Sequence, residues 1–189
     1  AVEKQGVAVV VVPGDVFFAR AADRRPSAPI VAAASHIVPT DGALAAAAEV
    51  LDAAENVTIL AGAGVAGAHA EVLALAERLK APIVHAFRGK EWIEYDNPFD
   101  VGMTGLLGFS SGYRAMEHCD ALLMIGTDFP YRQFYPSRAK VVQIDLRGEQ
   151  LGRRTAIDVG LVGDAADTAR ALLPLLRDDR DDRHLRRSL

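Results

Sequence analysis

A chain of 189 residues, half of them hydrophobic, can form one domain with a substantial buried core, which excludes disorder throughout. Its formal net charge of −4 gives no clustered basic face for nucleic-acid phosphates, and that class of partner is excluded too. The single cysteine, Cys119, can make no internal disulfide and has no zinc-ligand spacing around it, which fits a reducing cytoplasm.

The run VAVVVV at residues 7–12 is β-branched and continuous, which predicts a strand buried on both faces and stopped by Pro13-Gly14-Asp15. A strand this early has no preceding partner element, so it reads as the edge of something cut. Residues 17–39 mix Pro, Ala, Ser and Arg without sustained periodicity and are expected to be an extended connection. Thr40 or Asp41 can cap an alanine-rich helix reaching about Ala54. Residues 56–61 read as a strand, 65–80 as a helix and 82–85 as a further strand. After a long loop with a short strand at 101–103, Ser110 or Ser111 can cap a helix to about His118. Strands follow at 121–125, 141–145 and 159–162, and Asp164 caps a final helix, 165–176. This alternation predicts an α/β fold with a Rossmann-like, mainly parallel sheet flanked by helices on both faces. The remainder, RDDRDDRHLRRSL, has mixed charge without apolar spacing and is expected to stay solvated as a linker. No apolar run nears the roughly 18 residues of a bilayer span, and no basic, apolar, small-residue succession marks a signal peptide, so a soluble chain is expected.

In an open parallel sheet, ligands bind beyond the carboxyl ends of the strands, which makes the loops there the candidates. Gly62-Ala63-Gly64-Val65-Ala66-Gly67 matches G-x-G-x-x-G between a strand and a helix, where glycines let backbone N–H groups approach an anion. Tight strand–helix packing demands the same glycines. An ordinary dinucleotide site also wants an acidic residue at the end of the second strand, and this chain has His85 there, then Arg88. Arg88, beside Gly89, can pair with a phosphate, stack on a flat ring or stand solvated. Thr104-Gly105-Leu106-Leu107 offers a hydroxyl, backbone donors and two apolar side chains for a ring system, or makes a plain turn. Gly126 precedes Thr127, Asp128, Phe129, Pro130 and Tyr131, whose aromatics either pack on a ligand or close the core. Asp145 ends its strand where a carboxylate can accept from ribose hydroxyls or cap a turn. The sequence has no nucleophile elbow, no H-E-x-x-H and no Walker loop, and its five histidines do not cluster in sequence. No catalytic acid, base, nucleophile or metal ligand is nominated; the chain reads as a cofactor holder.

Taken together, GAGVAGAH, APIVHAFRGKEWIEYDNPFDVGMTGLLGFSSGY, GTDFPYRQFYP, VVQIDL and VGLVGD resemble the central domain of thiamine-diphosphate-dependent enzymes, nearest to the pyruvate oxidase and pyruvate dehydrogenase (quinone) group. The resemblance covers essentially residues 7–176; residues 17–37 have no confident counterpart and the segment beyond Arg177 matches loosely. It implies a DHS-like NAD/FAD-binding fold. It divides the chain into 1–38, the last strand of a pyrimidine-binding domain plus linker, then 39–176, the FAD-binding domain, and 177–189, a charged linker to a diphosphate-binding domain. The flanking domains of such enzymes hold thiamine diphosphate and Mg2+, and the GDG motif with paired asparagines for that purpose is absent from this sequence. FAD contacts implied by the resemblance are Gly62, Ala63, Gly64, Arg88, Thr104, Gly105, Leu106, Leu107, Thr127, Asp128, Phe129, Pro130, Tyr131 and Asp145. The implied parent oxidatively decarboxylates pyruvate and passes electrons through FAD to a quinone. It is expected to be a cytoplasmic homotetramer, with peripheral membrane association open, while the fragment alone is inactive and binds FAD weakly. A second reading is a structural or nonredox central domain of a nonoxidative enzyme of the acetolactate synthase or 2-oxoacid decarboxylase type. A third, an NAD module of the transhydrogenase or sirtuin kind, lacks its partner motifs.

Overall fold

The computed structural model describes residues 7–20 and 35–189, which fall into two compact units, 1–35 and 36–189. In the first, residues 7–13 have no regular structure and α1, Gly14–Phe18, is a single turn. The strand expected over 7–12 is corrected here: Val7 is 93% exposed and Val9 81%, and no ladder forms on it among the described residues. A β-branched run favours extended backbone, but only a neighbour's N–H and C=O groups make it a strand. The expected linker, 17–39, begins instead with Phe17 and Phe18 in α1, and its residues 21–34 lie outside the described part.

The second unit begins its regular structure at α2, Asp41–Ala53, whose N-cap Thr40 accepts from the Ala43 amide at 3.4 Å. Leu44, Ala47, Ala48 and Leu51 recur at helical spacing and form its buried face. Next come β1, Val57–Ala61; α3, His69–Leu79; β2, Ile83–His85; the short α4, Lys90–Ile93; and β3, Asp100–Met103. They are followed by α5, Ser110–Glu117; β4, Ala121–Ile125; β5, Lys140–Asp145; β6, Val159–Val162; α6, Ala165–Leu172; and α7, Arg183–Ser188. All six strands pair in parallel in the order β3-β2-β1-β4-β5-β6. The sheet is therefore doubly wound, with the order reversing between β1 and β4.

Burial on both faces explains why β4 reads as an unbroken apolar run and β1 as one interrupted only by Thr58. Ile59, Leu123, Val142 and Ile144 face the core shared with α2, α3 and α6, while Leu60, Val84, Leu122 and Met124 face α5. Each such side chain contributes about 1.5–3 kcal/mol by leaving water.

Several expected boundaries move for identifiable reasons. α3 starts at His69 rather than at 65, because Gly67 at φ 77° interrupts the helical path and the glycine turn closes as one 3-10 turn, Ala63–Val65. Neither Ser110 nor Ser111 caps α5: Phe109 holds the N-cap, and Ser111 Oγ donates to the Val101 carbonyl at 2.7 Å. Asp164 does cap α6, accepting from Ala166 and Asp167 at 2.9 and 3.1 Å, but Pro174 falls in a terminal 3-10 turn, Leu173–Leu175.

The tail is not solvated throughout. Arg180 donates to the carbonyls of Leu51 and Ala54 at 3.0 and 2.7 Å, binding the open C-terminal end of α2 with a side chain only 2% exposed. In α7, His184 and Leu185 are buried, and His184 Nε2 lies 2.9 Å from the Thr58 hydroxyl of β1. A pattern without apolar spacing still docks when one guanidinium finds a helix end that needs donors. Cys119 is buried, donates to the Met116 carbonyl at 3.2 Å, and has its thiol pushed up to about 12 by burial.

Candidate functional site

Because every strand is parallel, the nominated loops after β1, β2, β3 and β4, with Asp145 at the end of β5, leave the sheet at one carboxyl edge. A charged depression of about 330 Å3 lies elsewhere, beside Asn56 before β1 and under Arg177, Arg180 and Arg183 of the tail.

At the switch point the glycine turn is closed by the protein itself. The Gly62 amide donates to the Ile125 carbonyl at 3.0 Å, and the Gly64 amide to the Gly126 carbonyl at 2.9 Å. A Cβ on Gly62 would lie 2.4 Å from the Gly126 carbonyl oxygen, and one on Gly64 2.6 Å from the Gly126 Cα. Two of the three backbone donors of Gly62-Ala63-Gly64 are thus spent on the β4 turn, and the missing side chains make room for backbone. The turn does not fit a diphosphate, which needs N–H groups pointing outward. Thr127, against which Gly62 packs, is 4% exposed.

Farther along the rim, Phe129 is also buried, and its ring edge would meet a Cβ on Gly105 at 3.1 Å; Gly105 itself sits at φ 105°. Phe129 packs with Tyr131 at 5.5 Å and Tyr135 at 5.7 Å between ring centroids, and the Tyr135 hydroxyl donates to the Phe129 carbonyl at 2.8 Å. This aromatic group covers the core rather than lining a slot. Thr104 is 3% exposed, and its hydroxyl has no hydrogen-bond partner. By contrast Leu106 is 66% exposed, Leu107 71%, and Arg88, Pro130 and Tyr131 are exposed as well.

The two carboxylates have opposite surroundings. Asp128 accepts from Arg154 Nε and Nη2 at 2.5 and 2.8 Å and from Arg153 at 3.2 Å, and the Arg154 hydrogen bond holds its carboxyl below the usual range. Asp145 is half-buried, accepts from the Arg147 amide at 2.9 Å, and is raised by burial. Of the nominated residues, Gly62 and Gly64 meet Gly126 and Thr127 in one packed seam, and Gly105 packs on Phe129 farther along the rim. Arg88, Leu106, Leu107 and Tyr131 stand open to solvent, and Asp128 belongs to an arginine pair.

Sequence reading missed one constellation. His85, ending β2, brings Nε2 within 3.1 Å of Glu94 Oε2 and 3.5 Å of Asp100 Oδ1 at the start of β3. The three are separated along the chain, and only the return of the crossover to a neighbouring parallel strand brings them together. Strand order, once assigned, is the signal that finds them.

Comparison with known proteins bears on what this edge serves. Residues 44–172 match the thiamine pyrophosphate enzyme central-domain family. The uncharacterized 42.6 kDa protein of the isoamylase 3' region in Pseudomonas amyloderamosa is 56% identical over 94% of this chain and 45% of its own length. A probable acetolactate synthase large subunit of Methanocaldococcus jannaschii is 35% identical over 69% of this chain and 23% of its own length. In fold, the chain resembles benzoylformate decarboxylase of Polynucleobacter necessarius, with a TM-score of 0.69 at 21% identity over 86% of this chain and 32% of that one. The chain spans less than half the length of these relatives. With the doubly wound sheet and the family match in agreement, this chain belongs to the thiamine pyrophosphate enzyme central-domain family.

Proposed function

We propose that the chain is the central domain of a nonoxidative thiamine-diphosphate-dependent enzyme of the acetolactate synthase or 2-oxoacid decarboxylase kind, acting as a scaffold. The observation that carries this reading is the closed seam: the Gly62 and Gly64 amides are bonded to the β4 turn, which leaves them nothing to offer a dinucleotide phosphate. Likeness to an acetolactate synthase supports it. The chain's part is mechanical: a rigid sheet with an exposed rim that spaces flanking pyrimidine- and diphosphate-binding domains of the same polypeptide. Those domains would hold thiamine diphosphate and Mg2+, and the parent would be a cytoplasmic homotetramer.

Exposed Arg88, Leu106, Leu107 and Tyr131 on the same rim favour a second reading, the FAD-binding domain of a pyruvate oxidase or pyruvate dehydrogenase (quinone). FAD would there carry electrons from pyruvate oxidation to a quinone. Those four side chains, rather than the glycine turn, would hold it.

Titration of the 189-residue chain with FAD, followed by quenching of flavin fluorescence, tests the scaffold reading; because the fragment alone is expected to bind FAD weakly even under the flavin reading, reduction of a quinone analogue by the parent enzyme separates the two. The scaffold reading expects no stoichiometric binding. Tight one-to-one binding overturns it in favour of the flavin reading. In the parent enzyme, pyruvate-dependent acetolactate formation without reduction of a quinone analogue is expected.

A further inference from the structure

We propose that His85, Glu94 and Asp100 form a binding site for a divalent transition-metal cation of the zinc class, which clips the β2–β3 crossover to the sheet. One nitrogen and two carboxylate oxygens, all within 4.8 Å of one another, converge there. His85 carries the argument: its side chain is 1% exposed, and Nε2 faces two carboxylates at 3.1 and 3.5 Å without a well-aligned hydrogen bond to either. On the other side of the ring, Nδ1 lies 3.4 Å from the Ala86 carbonyl. A proton on Nδ1 satisfies that carbonyl and leaves the Nε2 lone pair bare toward the carboxylates. Such an arrangement of three electron-rich atoms is repulsive until a cation enters, and an imidazole held by a carbonyl through its second nitrogen is the usual setting of a metal-bound histidine.

The spacing suits the ion. Two ligands each about 2.0–2.2 Å from a tetrahedral zinc are about 3.4 Å apart, and the His85 contacts of 3.1 and 3.5 Å bracket that. Asp100 is already oriented, because its Oδ2 accepts from the Gly102 amide at 3.2 Å while Oδ1 has no hydrogen-bond partner. Glu94 enters from beyond α4 with its side chain 40% exposed, which leaves a water to complete a four-coordinate shell. Lys90 pairs with Glu94 and competes for the same oxygen, but it is 54% exposed and can swing into solvent. Two carboxylates and a neutral imidazole balance a divalent charge. The ligands come from the end of β2, the crossover and the start of β3, so the ion would tie together the segment that carries Arg88.

The test uses the tag-free 189-residue chain, stripped with chelator and titrated with Co(II) by visible absorption and with Zn(II) by calorimetry. One equivalent should bind, with the ligand-field bands of a low-coordinate nitrogen and oxygen site. The thermal midpoint should rise by roughly 5–10 °C at a metal concentration a hundredfold above Kd. Asp100→Asn and Glu94→Gln should each weaken binding by at least about tenfold, since losing a ligand costs no less than losing an outer-shell partner. Glu94 is exposed enough that its variant keeps the fold, and Lys90→Ala should tighten binding. Absence of Co(II) and Zn(II) binding would overturn the proposal. Binding that both carboxamide variants leave unchanged would equally overturn it.

Discussion

The turn after β1 and the loop after β3 leave the same edge of one sheet, and both are rich in glycine, yet one is closed against a neighbouring strand and the other carries side chains into solvent. At the β1–β4 seam, Gly62, Gly64 and Gly126 remove side chains so that two backbones touch and the carbonyls of Ile125 and Gly126 take up the Gly62 and Gly64 donors. After β3, Gly105 at φ 105° turns the chain so that Leu106 and Leu107 project into solvent, while Gly108 lets the backbone approach Met103 and spends its amide on the Gly105 carbonyl. A glycine-rich loop after a strand is therefore an ambiguous signal: what decides is whether its N–H groups are already bonded. The seam behaves as core and the rim as surface, and substitutions can separate them.

The largest effect is expected at Phe129, the side chain that joins the seam to the rim. Phe129→Ala removes a buried ring packed on Gly105, Tyr131 and Tyr135, and should cost about 4 kcal/mol in urea unfolding with an unchanged denaturant slope. A cost near zero would mean the ring covers no core and that the aromatic group is free to meet a ligand.

Next comes the seam backbone. Gly126 sits at φ 57°, and a Cβ there would lie 2.5 Å from the Gly64 Cα, so Gly126→Ala should cost about 3 kcal/mol from positive φ and overpacking together. Gly67 shares the positive φ, at 77°, but has open space around it, and Gly67→Ala should cost only about 1 kcal/mol. Equal costs would break the distinction between a packed glycine and one that only turns the chain.

These residues also mark how far the sequence could be read. The parallel sheet, six of its strands and the capping by Thr40 and Asp164 were legible because apolar runs and cap residues act locally. That the nominated loops share an edge followed from parallel topology alone. Whether Gly62 offers its amide to a ligand was not legible, because its acceptor, the Ile125 carbonyl, comes from a strand far along the chain and depends on register. The same limit hid the docking of Arg180 on α2 and the meeting of His85 with Asp100. The valine run at 7–12 failed in the other direction: local preference was strong, and no partner strand stands beside it among the described residues.

A smaller, signed effect distinguishes the two rim carboxylates. Asp128 is held below its ordinary 3.8 by the Arg154 hydrogen bond, so its contribution is present above 3.8 and is lost as pH falls through the lower folded value. Asp145 is raised above 3.8 by burial, so the folded state keeps its proton where the unfolded chain has released it. Its contribution is present below 3.8 and is lost as pH rises through the higher folded value. Urea midpoints of Asp128→Asn and Asp145→Asn, each compared with the parent across this range, should diverge in opposite directions. Parallel curves would show that the two carboxylates share one environment.

The smallest effect on stability is expected at Arg88, and its smallness is informative. An exposed arginine on the 3-10 turn Phe87–Gly89, with Gly89 rather than Arg88 packed against the Ala61 carbonyl, carries little of the fold. Arg88→Ala should therefore shift the unfolding free energy by no more than about 0.5 kcal/mol. The neighbouring glycine does the packing, so the guanidinium is left available, and that availability is the strongest feature of the rim as a binding surface. If the chain takes up FAD, the same substitution should weaken flavin binding about tenfold or more, as expected for losing a charge-assisted contact to a phosphate. If it does not, Arg88→Ala should leave every measurement on the 189-residue chain at its parent value. A substitution without effect on folding but with a large effect on flavin affinity would place function on the open rim; one without effect on either would leave the rim to the flanking domains.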